Sequence, residues 1–176
     1  MPPIRTYAIL PPAYVEFDSA APDVAARVGA LIESAAPWAK VEHIGSTAIP
    51  GCAGKGIVDL VALYPRGTLE VTRNAIDALG FQRQQVGHEF PEDRPMRVGA
   101  IEFEGRLYRL HVHVVAAESE ETRALRRFRD VLRADPSLRD AYQSRKRMIL
   151  ESGASNSLDY THAKSEFINA VIGSSA

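Results

Sequence analysis

The stretch His43-Ile44-Gly45-Ser46-Thr47-Ala48-Ile49-Pro50-Gly51, followed by Lys55 and the apolar run Ile57-Val58-Asp59-Leu60-Val61, decides how this chain is read. Lys40–Ile44 has the length and composition of a short strand that runs into a turn of small residues, 45–56. The chain returns as a second strand, 57–63, whose apolar run is broken only by Asp59. Such a run marks a strand covered on both faces. Glycine lets a backbone come close to a phosphate, and a serine hydroxyl with neighbouring N–H groups can bind its oxygens. A carboxylate on the return strand can hold Mg²⁺ against those phosphates. The competing reading is that Asp59 closes a structural network beside the turn. Either way a carboxylate in a buried strand needs a partner.

Upstream, Val24, Val28, Leu31, Ile32 and Ala35 fall at helical spacing over 23–35, and Pro37 ends that pattern. The segment before it, with Pro2, Pro3, Pro11 and Pro12, reads as extended and irregular. Downstream, Thr68 is placed to cap a helix over 69–79 with Val71, Ala75, Ile76 and Leu79 inward and Gly80 past its end. Strands are expected over 81–86, 98–103 and 107–115, with a polar loop over 88–97 and a hairpin turn at Glu104-Gly105. The last third is helical. Leu125, Phe128 and Leu132 form one stripe, and Asp135-Pro136 starts a helix carrying Leu138, Tyr142, Arg145 and Ile149. A final helix carries Tyr160, Lys164, Phe167, Ile168 and Val171. This order predicts an α+β fold: a mixed sheet covered by helices, with a C-terminal helical segment.

His111 and His113 alternate with Leu110, Val112 and Val114, so both imidazoles leave one face of their strand, together with Arg109. They can line a cleft as acid/base or phosphate-binding groups, bind a metal with His43 as third ligand, or be half-buried structural histidines. A histidine-triad hydrolase is excluded because Val115 stands at the third place. Lys146 and Lys164 lie on helices whose apolar stripes face the core, and Lys164 sits on or beside its packed face, where an ammonium needs a carboxylate, a phosphate or water. The run Arg123, Arg126, Arg127, Arg129, Arg133, mixed with acids, reads as a solvated helix, and Trp38 as a packing anchor.

The 176 residues fit one domain, 1–176. At 45% hydrophobic and 24% charged the composition is that of a globular protein. A net charge of -1 gives no global case for nucleic acid or membrane. The single cysteine, Cys52, excludes an intrachain disulfide and favours a cytoplasmic setting. The N-terminus does not read as a signal peptide, and no run approaches the length of a membrane span.

Gly45-Ser46 followed by Asp59 in an apolar strand is similar to the signature of the nucleotidyltransferase superfamily. The fuller HIGSTAIPG, Lys55 and IVDLV resemble the GrpB family, also called UPF0157, as do LHVHVV at 110–115 and FRDVLRADP at 128–136. Tyr142, Lys146 and Tyr160-x-x-x-Lys164-x-x-Phe167-Ile168 extend the resemblance over roughly residues 24–172. It implies a nucleotidyltransferase-like fold binding a nucleotide or another phosphorylated small molecule. Asp59, His111 and His113 are the catalytic candidates, with Asp59 also the candidate ligand of Mg²⁺. His43, Gly45, Ser46, Thr47, Lys55, Arg109, Lys146, Tyr160 and Lys164 are the substrate-binding candidates. One departure weighs against transfer chemistry: active nucleotidyltransferases usually carry a second acid two residues on, and here that place holds Val61. Glu102 and Glu104 are the alternative sources of a second carboxylate. A non-catalytic reading therefore stays open beside the enzyme. GrpB-like domains also occur fused to dephospho-CoA kinase, which implies an accessory role in coenzyme A biosynthesis or in the folding of a partner. This chain has no Walker-type phosphate loop.

Overall fold

The strand holding Asp59 is β2 (Ile57–Tyr64), and two strands flank it. β1 (Lys40–Ile44) pairs with it antiparallel, and β5 (Arg106–Ala116) pairs with it in parallel. β4 (Met96–Phe103) and β3 (Gln82–Arg83) complete a five-stranded mixed sheet in the order β1-β2-β5-β4-β3. The helices are α1 (Ala21–Ala35), α2 (Leu69–Ala78), α3 (Glu120–Ala134) and α4 (Pro136–Glu151), with residues 166–171 also helical. The computed structural model describes residues 2–11, 13–84, 90–151, 166–171 and 173. Tyr160 and Lys164 lie outside them. Among the described residues no helix is long and apolar enough to cross a membrane.

Strand alternation builds two different faces. Val58, Leu60 and Ala62 of β2, with Leu110, Val112 and Val114 of β5, pack on Val24, Val28 and Ile32, which recur at every fourth position of α1. Truncating a residue such as Ile32 in this core would cost about 2–5 kcal/mol. On the other face Ile44, Val61, Leu63 and Val115 form a smaller apolar cluster against Leu125 of α3. A third cluster joins α3 to α4 through Phe128, Leu132 and Tyr142, with Ile49 and Cys52 of the glycine-rich turn in the same contact. That cluster fixes the turn to the C-terminal helices.

Several local expectations hold and several do not. The Asp135 carboxylate accepts from Leu138 N (3.0 Å) and caps α4 as its position suggests. The β4–β5 hairpin turns at Glu104 (φ 49°) and Gly105 (φ 75°). Thr68 precedes α2 but its hydroxyl donates backwards to Pro65 O (2.8 Å), so it supplies no side-chain cap. Val71 is exposed, and Thr72 is buried in its place with Ile76. Trp38 is no anchor: it lies largely at the surface, its indole N–H donating to Thr72 Oγ1 (2.8 Å). β3 is only two residues long, and 85–89 of the expected strand and loop lie outside the described residues. α4 buries Lys146 rather than Arg145, together with Tyr142 and Ile149.

The N-terminal segment is extended and forms no regular element, as expected, but an isolated bridge ties it to the sheet. Arg5 exchanges two backbone hydrogen bonds with Ala100 of β4 (2.7 and 2.9 Å), and Ile4 N donates to Leu79 O (3.1 Å). Gly99 makes this seat: a Cβ there would lie 2.4 Å from Ile4 Cγ2.

Candidate functional site

Register assembles the site. Ile44, Asp59, His111 and Val98 stand in one row across β1, β2, β5 and β4. The chain leaves β1 at Gly45 with φ +71°, a conformation that favours glycine. It passes so close to β2 that a Cβ on Gly45 would lie 2.6 Å from Asp59 Oδ2. The turn and the carboxylate are thus one packed unit. Ser46 opens a short 3-10 turn, Ser46–Ala48, and its Oγ approaches Gly54, where a Cβ would lie 2.4 Å away.

Asp59 Oδ1 lies 3.4 Å from His111 Nδ1. A carboxylate offers only acceptors, so this contact suits a proton on Nδ1, which would leave a lone pair at Nε2. That nitrogen meets the Tyr7 hydroxyl at 3.1 Å. Asp59, His111 and Tyr7 thus form a chain of three, with Asp59 and His111 both partly open to solvent. Burial raises the Tyr7 pKa above the ordinary phenol value, opposed by the neighbouring Arg109 guanidinium and reinforced by the Asp59 charge. Arg109 also donates to Lys55 O (2.9 Å), tying the far end of the turn to β5.

His113 has a different fate from His111. Arg94 Nη1 donates to its Nδ1 (3.0 Å), Phe90 packs edge-on at 5.6 Å, and Glu121 holds Arg94 through two hydrogen bonds. A guanidinium has no acceptor, so Nδ1 is unprotonated. Burial, and then the Arg94 charge, push the His113 pKa down to about 4. This imidazole joins a structural cluster.

His43 and Thr47 belong to the inside of the turn. His43 pairs with Leu60, one register step from Asp59, and so leaves the opposite face. Thr47 Oγ1 donates to Ile57 O (3.2 Å) and accepts from His43 Nε2 (3.0 Å). Burial pushes the His43 pKa down to about 4, against the pull of Asp59 and with help from Arg133 and Arg129.

Lys146 is 2% exposed beneath the turn. Its ammonium donates to Ala53 O, lies 3.5 Å from Cys52 Sγ and stands 4.2 Å over the Tyr142 ring. A Cβ on Gly54 would touch its Nζ at 3.5 Å, so this nitrogen sits directly behind the loop that carries Ser46.

Residues missed by sequence reasoning grip the same turn. Arg126 and Arg129 both bind Glu42, Arg129 also donates to His43 O, and Arg133 Nε donates to Ala48 O (2.8 Å). The arginine run is therefore partly a clamp, not only a solvated face. A charge run gives no sign of this, since it depends on which helix face the turn meets. Tyr7 carried no signal beyond its extended neighbours.

The second carboxylate is not at the site. Val61 is 1% exposed within its apolar cluster. Glu102 pairs with Leu107, four residues along β4 from the Val98–His111 row, and binds Arg5; Glu104 lies in the hairpin turn. Among the described residues no three His, Cys, Asp or Glu side chains gather as a metal site. The donor set fits one Mg²⁺ bound by a single carboxylate and carried in with a phosphate chain. Among the described residues it does not fit a two-metal centre.

The comparisons bear on the family and the fold. The family model described as GrpB protein matches residues 11–173. A UPF0157 protein of Streptomyces coelicolor is 35% identical over 131 residues, covering 74% of this chain and 66% of the relative. One from Pseudomonas aeruginosa is 32% identical over 143 residues, covering 79% and 56%. The chain thus spans two thirds or less of the length of these relatives. The crystal structure of the conserved protein GrpB from Enterococcus faecalis superposes with a TM-score of 0.70 at 18% identity, over 92% of this chain and 98% of that one. Cid1 in complex with its short product ApU superposes at 0.52 and 12% identity, over 77% and 42%. These likenesses establish the nucleotidyltransferase-like fold, and the match over nearly its whole length places the chain in the GrpB family.

Proposed function

We propose that this protein binds a nucleotide, or a small molecule bearing a similar phosphate chain, in the cleft between the Gly45-Ser46 turn and the Asp59–His111 pair. The observation that carries the reading is the close packing of Gly45 on Asp59, which sets the backbone of the glycine-serine turn directly beside a carboxylate. The Gly45 and Ser46 backbone and the Ser46 hydroxyl would hold phosphate oxygens, with the buried Lys146 charge behind them. Mg²⁺, when bound, would neutralise phosphate charge, and Asp59 would hold it. In nucleotidyl transfer an acceptor hydroxyl would give its proton to His111 Nε2, while Asp59 stabilises the resulting imidazolium. The single buried thiol suits a cytoplasmic setting.

Calorimetry with the four ribonucleoside triphosphates in magnesium tests this. Saturable binding of at least one, weakened at least tenfold by Asp59→Asn in a folded protein, is expected. No binding by the wild type, or unchanged binding by the variant, overturns it.

A second reading, a non-catalytic accessory module, is favoured by the burial of Val61 where a second acid would stand. It predicts nucleotide or partner-protein binding without pyrophosphate release.

A further inference from the structure

We propose that Tyr7 is itself a nucleotidyl acceptor: the site transfers a nucleoside monophosphate from a nucleoside triphosphate to the Tyr7 hydroxyl of the same chain. The inference rests on the nucleotide-binding reading above and assigns its acceptor. Three observations carry it.

The Tyr7 hydroxyl lies 3.1 Å from His111 Nε2, where an acceptor's hydroxyl must lie to give up its proton. The other ring nitrogen faces Asp59, so the imidazole is oriented with its lone pair toward the phenol. Next, the hydroxyl is not carried on a loose tail. The Arg5–Ala100 bridge stands two residues before it, Ile4 fills the notch at Gly99, and Tyr7 N donates to Gln82 Oε1 (3.1 Å). A hydroxyl held this firmly competes with any external acceptor for the same lone pair. Finally, the Arg109 guanidinium lies beside the phenol, and Asp59, the other partner of His111, packs against Gly45 of the turn proposed above to hold phosphate.

In this step Tyr7 Oη forms a bond to the α-phosphorus. The bond from that phosphorus to the pyrophosphate oxygen breaks, and pyrophosphate leaves with the electron pair. The phenolic proton passes to His111 Nε2. The product is a tyrosyl phosphodiester, formed once per chain.

The test incubates the full chain with each ribonucleoside triphosphate and magnesium, then measures intact mass and maps the modified peptide. A mass increase of one nucleoside monophosphate on Tyr7 is expected, absent from Tyr7→Phe and formed at least tenfold more slowly by His111→Gln. Mapping in the wild type reads the acceptor whether or not a variant folds. Calorimetric binding of a triphosphate with no adduct, or an adduct on another residue, overturns the proposal and leaves the binding reading standing. Absence of binding overturns both.

Discussion

His111 and His113 leave the same face of the same strand two residues apart, yet they stand in two different regions. At the cleft end, His111 lies between Asp59 and Tyr7 with part of its ring in solvent. At the covered end, His113 is held by Arg94 and Phe90 beneath the start of α3. The difference comes from what packs over each position, not from the strand. Alternation states which way a side chain points; only the elements laid across the face decide whether it meets a ligand or a neighbour.

The largest effect expected to separate the regions is acid sensitivity. His113, like His43, has a folded pKa of about 4 against an ordinary value near 6.5. Between those values the unfolded chain binds more protons, so the neutral imidazoles contribute stability that is whole above pH 6.5 and lost as pH falls to 4. The loss approaches about 3 kcal/mol per imidazole, about 6 kcal/mol for the two together. Urea denaturation across that window should show it, and His113→Gln should flatten the slope. An unchanged slope would place His113 in an environment like bulk water.

A smaller effect is expected at the cleft end from Gly45→Val. The side chain meets Asp59 and the backbone is at φ +71°, so stability should fall by about 2–4 kcal/mol. Triphosphate binding should be lost as well. Full binding by a folded variant would separate the turn from the carboxylate.

The smallest is Arg94→Met, which opens the covered end. A loss of about 1–3 kcal/mol is expected, and the His113 pKa should rise by NMR titration because a neighbouring cation is gone. Burial remains the larger cause, so a return to 6.5 would contradict this account.

Much of the fold was legible because it rests on local rules. The run around Asp59, the hairpin at Glu104-Gly105 and the Asp135 cap need only their own neighbours. The burial of Lys146 was not legible, because the apolar spacing of its helix points equally well to Arg145. The site was legible only in part. Asp59 and His111 meet through strand pairing, which alternation anticipates. His43 proved to be on the other face because register, not proximity in sequence, assigns it. Tyr7 reaches His111 across a separation of 104 residues, by way of a bridge at the sheet edge that two backbone hydrogen bonds define. The arginines of α3 grip Glu42 and Ala48 from a helix whose docking angle no local pattern encodes.

Val61 bears on the history open to this chain. An aspartate at that position would be seated among Ile44, Leu63, Val115 and Leu125, where an ionised carboxylate is strongly disfavoured. A single codon change would therefore weaken the fold before it could recruit a metal. Seating a solvated acid at this position would require α3 to move, and with it the arginines that clamp the turn. The packing behind one valine thus acts as a constraint: variation around Asp59 and His111 stays accessible to selection, while a second acid on this strand needs several coordinated replacements.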